Sequence, residues 1–445
     1  MQRKQFFFAF SFAIVNISYI IGIEKRRIDH MKRETKNFEM KEKMTKSFLK
    51  TVSAYANYNN GQIIFGIDDE GHTIGIDDPE QFCLNIENSI NDNIKPVPDY
   101  DLQVTPQNTI ILDVYKGDEP PYFYNGKAYK RHDSSSIPVS SLELRRLSLE
   151  GMHKDFEDLP ARSQDLTFHF LETQLCRHIN IEHLSEDVLK TLGLYDGTTY
   201  NIAAELLSDQ NSFPGVDLIR FGDSIDQILF RKTFSHTSIL KILEDTIEVF
   251  KEYYTYDIIS GMTRNHIEQI PEKAFREALA NAIVHREWDL PSFVQIAMYK
   301  DRIEITSPGG LPAGLSQYEY LNSMISNLRN PKIAEVFLKI DLIEKFGTGV
   351  TRIKEAYKHF QRKPLFQVNE NSITVTLPLI TQASHQREYL VMKELENKGL
   401  CSRKELEQVT GMKTDRLIRL LNKMIDDHIV EKVGKGRATK YKLYD

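Results

Sequence analysis

From Met31 onward the apolar positions change period in an orderly way. In "TKSFLKTVSAYANYNNGQIIFGIDDEGHTIGIDD", Phe48, Val52 and Tyr55 recur at helical spacing and predict a helix over about 44–57. "NNG" ends it with residues that tolerate left-handed backbone. "QIIFGI" reads as a short buried strand and "DDEGH" as a hairpin turn. "LQVTPQNTIILDVY" continues as strands, and "PPYFYNGKAYKRHDSSS" as a further hairpin and loop. Together these segments predict one α+β domain over 31–155.

Residues 160–215 are mostly helical in pattern. "GVDLIRFG" and "SIDQILFRKTF" then give two strands, and "HTSILKILEDTIEVFKEYY" a long amphipathic helix. "PEKAFREALANAIVHREW" opens with Pro271 at a first-turn position, which helices accept. "FVQIAMYKDRIEITSPGGLP" reads as a hairpin whose second strand runs into a Gly-rich loop. "RNPKIAEVFLKIDLIEKFGTGVTRIKEAYKHF" reads as helix, Gly loop, helix, and "LFQVNENSITVTLPL" as two more strands. The alternation predicts a two-layer sandwich over 215–380 behind a helical connector, so that 156–380 forms one region. After the polar linker "TQASHQ", residues 384–445 predict three helices and a two-stranded wing with a basic turn.

Charge sharpens this division. The formal net charge is −6 over 445 residues, which excludes a uniformly basic nucleic-acid binder. Residues 384–445, however, carry 14 Lys and Arg against 10 Asp and Glu, and the remainder 43 against 53. A basic end on an acidic body suggests a local anionic partner. Cys83, Cys176 and Cys401 lie far apart, form no Cys-x-x-Cys pair and fit a reducing cytoplasm. The stretch Phe6–Ile23 is long enough to cross a bilayer and is flanked by Arg3, Lys4, Lys25, Arg26 and Arg27. It reads either as a membrane anchor or as an extension ahead of a true start at Met31. The second reading is preferred, and residues 1–30 are set apart from the fold.

The chemistry concentrates in "FREALANAIVHREW" (Phe275–Trp288). Glu277, Asn281 and His285 share one helix face, because residues four apart stack. A buried carboxylate beside a buried amide is costly unless a ligand or water satisfies both. Metal-assisted phosphoryl transfer suits the pair: a Glu can orient or deprotonate water, and an Asn oxygen suits Mg²⁺. The plainer alternative is an amphipathic helix with Glu277 solvated. Two glycine loops follow, "SPGGLPAG" (Ser307–Gly314) after a strand and "FGTGV" (Phe346–Val350) before a helix. Glycine lets backbone approach a ligand, and amides at a helix start bind phosphate.

In order and spacing, "EALANAIVHREW", "DRIEITSPGGLP", "RNPKIAEVF" and "GTGVTRI" resemble the Bergerat-fold ATPases of the GHKL superfamily. The likeness covers about 270–355 and is strongest to the RecG C-terminal-like branch of ATP-binding proteins. It implies ATP and Mg²⁺ as cofactors, Glu277 as general base and Asn281 as Mg²⁺ ligand. His285 lies on their face, without an assigned role. Gly309 and Gly310 would line the adenine side, and Gly347 and Gly349 would close over the phosphates. Most GHKL proteins carry an Asp just before the first Gly loop, where Ser307 or Pro308 stands here. Helicase activity is not expected, since no Gly-x₄-Gly-Lys-[Ser/Thr] occurs.

Upstream, "ETKNFEMKEK", "VSAYANYNNGQIIFGIDDEGHTIGI" and "GKAYKRHDSSS" resemble the Schlafen AlbA-type domain, a nucleic-acid-binding module, over about 34–150. Asn60 replaces the first Gly of that family's turn. In some Schlafen proteins two Glu and an Asp cut RNA with a divalent metal, and Glu34, Glu39 and Asp69 could match those positions. Alternatively Glu39 and Lys41 are structural ion-pair partners, and the Asp pair shapes a turn.

The last 60 or so residues fit a winged helix-turn-helix, with "KTDRLIRLLNK" as the groove reader. Lys413, Arg416, Arg419 and Lys423 recur there at helical spacing, and Lys435, Arg437 and Lys440 belong on or near the wing. The chain therefore predicts an α+β multidomain protein: an AlbA-like α/β domain, a Bergerat-type α/β sandwich and a winged helix. The expected function is an ATP-responsive, DNA-binding regulator of transcription, with homo-oligomerisation left open. An ATPase or metal-dependent nuclease, and a scaffold with a decayed nucleotide site, are the alternatives.

Overall fold

The computed structural model describes residues 34–260, 263–312, 314–323, 327–343, 347–380, 386–434, 436 and 439–444. The extension 1–30, Phe346, Thr381–His385 of the polar linker, Lys435 and Arg437 lie outside them. Among the described residues no helix is long and apolar enough to cross a membrane. The chain divides into two compact units, the first ending at Lys154 and the second beginning at Asp155.

The first unit runs β1 (Phe38–Lys41), α1 (Phe48–Tyr58), β2 (Gly61–Phe65), α2 (Pro79–Asn93), β3 (Ile94–Lys95), β4 (Tyr100–Val104), β5 (Ile110–Val114), β6 (Phe123–Tyr124), β7 (Lys127–His132), β8 (Ser135–Pro138) and α3 (Ser141–Gly151). One sheet has the order β1-β2-β5-β4 and the other β3-β6-β7-β8. Helix α1 packs Phe48, Val52 and Tyr55 against Ile63, Phe65 and Leu112 of the first sheet. Its end corrects the expectation from "NNG". Asn59 is extended (φ −153°, ψ 148°), not left-handed. Glycine is needed at 61 because a β-carbon there would lie 2.4 Å from the Tyr55 ring. Asn60 instead accepts a hydrogen bond from the Lys116 amide at 2.8 Å. The strand expected after "DDEGH" shrinks to a single bridge between Ile67 and Thr73. Helix α2 was not legible in the apolar pattern, because only Ile86 and Ile90 of it are buried.

The second unit opens with a short 3₁₀ turn (Phe156–Asp158), then α4 (His169–Ile179), α5 (Glu186–Thr191), α6 (Ile202–Leu207), β9 (Pro214–Phe221), β10 (Ile228–Ser235), α7 (Ile239–Tyr254), β11 (Thr255–Ser260) and β12 (Thr263–Glu268). It continues through α8 (Glu272–Val284), β13 (Val294–Met298), β14 (Arg302–Pro308), α9 (Gln317–Asn322), α10 (Pro331–Lys339), α11 (Gly349–Ala356), β15 (Leu365–Val368) and β16 (Ser372–Pro378). Six strands form one sheet in the order β10-β9-β13-β14-β16-β15. All neighbours are antiparallel except β9 and β13. Helices α7 and α8 cover one face of this sheet. Leu243 and Phe250 of α7, Phe275 and Leu279 of α8, and Val216, Ile296 and Ile305 of the sheet share one core. Phe250 and Phe275 stack with ring centroids 4.1 Å apart. Leu171, Leu175 and Leu206 of the expected connector belong to the same core, so those helices are part of the sandwich.

The C-terminal part comprises α12 (Gln386–Lys398), β17 (Cys401–Ser402), α13 (Arg403–Thr410), α14 (Thr414–Asp426), β18 (Val430–Val433) and β19 (Lys440–Leu443). Its three strands pair in the order β17-β19-β18. Leu406, Leu417, Leu421 and Met424 form its own core. Tyr389 stacks on Phe360 of the sandwich, with centroids 6.1 Å apart.

Candidate functional site

Helix α8 carries alanines at 274, 278 and 282 beside Phe275, Leu279 and Ile283, all buried. Small side chains let the helix lie close to its sheet, while Glu277 and Asn281 fall on the face turned to a cavity of about 110 Å³. The cavity is lined by Glu277, Asn281 and His285, by Ser307, Gly309 and Gly310, and by Gly347 and Gly349. The fold thus gathers around one cavity every residue assigned to the nucleotide from sequence.

Glu277 is 8% exposed. Burial pushes its carboxyl above the usual range; Arg352, 3.8 Å away, and the hydrogen bond from Asn281 pull it partly back. Asn281 donates through Nδ2 to Glu277 Oε1 at 3.3 Å. Its amide oxygen accepts no hydrogen bond among the described residues, and an unpartnered amide oxygen facing a cavity suits a hard cation. His285 is not in the helix but caps it, its own amide donating to the Asn281 carbonyl. It lines the cavity, and burial and then Arg329 push its imidazole pKa down to about 4.

The glycines serve different ends. Gly309 (φ +105°) and Gly347 (φ +62°) adopt backbone that other residues rarely take. A β-carbon on Gly310 would lie 2.2 Å from the Glu370 carbonyl oxygen. One on Gly349 would lie 2.4 Å from Asn281 Nδ2 and 2.7 Å from Glu277 Oε1. The start of α11 therefore rests directly on the carboxylate and amide. At the position of the usual Asp, the Ser307 hydroxyl donates to the Ala282 carbonyl at 2.8 Å, pinning β14 to α8.

Sequence reading assigned no role to Arg329 and Asn330, although both stand in the quoted "RNPKIAEVF". Asn330 Nδ2 donates to the carbonyls of Val284 (2.7 Å) and Arg286 (3.0 Å). Arg329 donates to the His285 carbonyl (2.9 Å) and, from its other nitrogen, to the Gly310 carbonyl (3.0 Å). Two adjacent residues from a distant segment thus satisfy the carbonyls that the end of α8 leaves open, and join that end to the first glycine loop. A cation here also opposes the negative end of the helix dipole. Arg286 is fully buried and donates only to main-chain carbonyls, among them Pro214 (3.0 Å) and Ser292. Its guanidinium lies over Trp288, 4.1 Å from the ring centroid, and burial pushes its pKa down to about 10.

In the first unit, Glu39 is 3% exposed and bound by Arg131 (2.5 Å), Lys41 (2.8 Å) and the Thr51 hydroxyl (2.7 Å). Glu34 accepts from the Met40 amide at 3.1 Å, and Asp69 is exposed. Among the described residues the acidic and imidazole groups that come together are Asp68, Glu70 and His72, not Glu34, Glu39 and Asp69. Asp68 is itself occupied by the amide and ring of His72.

At the C-terminal end, Lys413 caps α14, and Lys413, Arg416, Arg419 and Lys440 are exposed. Lys423 differs: its ammonium is bound to Glu388 of α12 at 2.9 Å.

Two family models match parts of the chain. Residues 32–140 match the one described as "Schlafen, AlbA_2". Residues 292–377 match the one described as "Putative ATP-dependent DNA helicase recG C-terminal". The second match holds both glycine loops and begins after α8, so Glu277, Asn281 and His285 join the site through the fold. No curated protein matches the chain. A crystal structure of the DIP2311 protein from Corynebacterium diphtheriae is similar at 17% identity, over 92% of this chain and 95% of that one, with a TM-score of 0.44. The protein is thus a mixed α+β, multidomain chain with a Schlafen AlbA-like and a recG C-terminal-like, HATPase-type domain.

Proposed function

We propose that the chain is an ATP-binding, DNA-binding regulator of transcription in which nucleotide adjusts the arrangement of the second unit. The observation that carries this reading is the contact of Gly349 with Asn281 and Glu277. The cavity of about 110 Å³ is smaller than a nucleoside triphosphate, so in this reading entry is accompanied by withdrawal of the start of α11 from α8. Helix α11 ends at Ala356, and the loop that follows carries Phe360 against Tyr389 of the C-terminal part. A displacement at Gly349 is therefore delivered to the helices that would hold DNA. A ligand achieves this only by binding one arrangement better than the other.

In this reading Asn281 holds Mg²⁺ through its free amide oxygen, and Mg²⁺-ATP supplies a phosphate chain for the Gly347–Gly349 loop to cradle. Gly309 and Gly310 lie on the base side. Lys413, Arg416, Arg419 and Lys440 meet phosphates of a duplex in a winged-helix arrangement, and the AlbA-like domain adds a second nucleic-acid surface. Division at about 155 and 384 gives the three functional regions, and the compartment is the cytoplasm. An ATPase is the second reading, favoured by Glu277, whose raised pKa makes it a stronger base than a solvated carboxylate.

The test is titration of a fluorescent ATP analogue with Mg²⁺ against wild type and Asn281→Ala. Saturable binding by wild type, weakened by the substitution, is expected. Failure of wild type to bind removes the nucleotide from the proposal. Turnover of the bound nucleotide, lost in Glu277→Gln, would make the protein an ATPase.

A further inference from the structure

The larger cavity of the second unit is not the one lined by the glycine loops. It holds about 640 Å³ and opens between the segment after α11 and the helices α12 and α14. That volume falls within the range of small-molecule sites, roughly 300–1,000 Å³. Its floor is apolar: Phe360, Leu379, Ile380, Met392 and Ile429. Its basic lining is Lys358, Arg362, Lys363 and Lys423, with the imidazoles of His359 and His428 beside them.

The charge of this lining is only partly balanced by protein. Glu388 is committed to Lys423, which leaves Asp427 as the other acidic side chain of the lining. Lys358 and Arg362 have no carboxylate partner among the described residues. The Lys363 ammonium donates to the carbonyls of Tyr357 (3.0 Å) and Lys358 (2.6 Å) and to no acid. Burial holds this ammonium below the usual lysine range. Burial, then Lys358 and Lys363, holds the His359 imidazole below its own. Like charges gathered in a concave wall repel one another and concentrate anions.

We propose that this cleft is a binding site for a phosphate-bearing small molecule, its phosphates held by Lys358, Arg362 and Lys363 and its apolar part resting on Phe360 and Met392. The concave shape and the apolar side chains of the lining favour a small ligand over the backbone of a duplex, which needs an open track. The ligand would bridge the sandwich and the C-terminal helices, because Lys358–Lys363 belong to the first and Met392 and Lys423 to the second. Inorganic pyrophosphate supplies the shared chemistry as a probe.

The experiment measures acylation of each lysine of the full chain by an N-hydroxysuccinimide ester, read by mass spectrometry. It is run with and without pyrophosphate, at ionic strength held constant with chloride. At a pyrophosphate concentration four times its Kd, labelling of Lys363 and Lys358 slows about fivefold, the factor set by mass action. Exposed Lys46 in the other unit reports non-specific effects and is unchanged. Protection persists in Asn281→Ala, which separates this site from the proposed nucleotide cavity, and is lost in Arg362→Ala, an exposed side chain that the fold does not need. Equal slowing at Lys46, no slowing at Lys363, loss in Asn281→Ala or persistence in Arg362→Ala each overturns the proposal. So does protection by duplex DNA without protection by pyrophosphate, which would make the cleft a nucleic-acid surface.

Discussion

Gly349 lies against Asn281 so closely that a β-carbon at 349 would stand 2.4 Å from the amide nitrogen. The backbone at 349 is not left-handed, so glycine is required there for space alone. Gly349→Ala crowds the Asn281 amide and the Glu277 carboxylate, which must turn aside or push the start of α11 from α8. Overpacking of this kind costs about 1–3 kcal/mol. Thermal melting of the full chain should show a fall of several degrees in the transition of the second unit. An unchanged midpoint would mean that the Asn281 and Glu277 side chains turn aside without cost.

Asn330 meets two buried carbonyls with one amide group. Asn330→Ala leaves both without that donor, at a cost of about 1–3 kcal/mol for an unsatisfied buried group. The same variant loosens the end of α8. Amide exchange at Val284–Glu287 should accelerate while that of α14 stays unchanged. Uniform acceleration would indicate global destabilisation rather than a lost cap.

Glu157 predicts a pH dependence. Burial pushes its carboxyl from 4.5 up to about 7, although the amides of Lys332 and Ile333 donate to it. A group raised in the folded state contributes stability that is present below its unfolded pKa and lost as pH rises through the folded value. The second unit should therefore lose up to about 3 kcal/mol between pH 4.5 and 7 from this residue. Denaturant midpoints across that window should fall more steeply in wild type than in Glu157→Gln. Equal slopes would assign the dependence to other groups.

Arg416 and Arg419 are exposed on α14, while Lys423 is engaged with Glu388. If α14 meets duplex phosphates, the double change of Arg416 and Arg419 to Ala reduces the log–log salt slope of DNA affinity by about 2. Fluorescence anisotropy at several salt concentrations measures it. An unchanged slope would move the duplex to another surface.

Much of the fold was legible because burial imposes a period on the chain. Phe48, Val52 and Tyr55 mark α1 since that helix buries one face on a sheet. Helix α2 escaped notice since it buries little beyond Ile86 and Ile90. The β11–β12 hairpin also escaped notice, lying between two stronger helical patterns. Glu39 has the same identity whether it binds metal or ions of its own chain; only the positions of Arg131, 92 residues away, and Lys41 decide its partners.

By itself the sequence determined which residue types share a helix face and where glycines fall next to helices and strands, because both are read from the order of residues. It therefore singled out Glu277, Asn281 and the two glycine loops. Tertiary structure alone decided that Gly349 rests on Asn281, that Ser307 is spent on the Ala282 carbonyl, and that Arg329 and Asn330 cap α8. It also decided that Lys358, Arg362 and Lys363 face a cleft with few acids to balance them. Such relations depend on distances between segments tens of residues apart, and the periodicity of either segment carries no record of those distances.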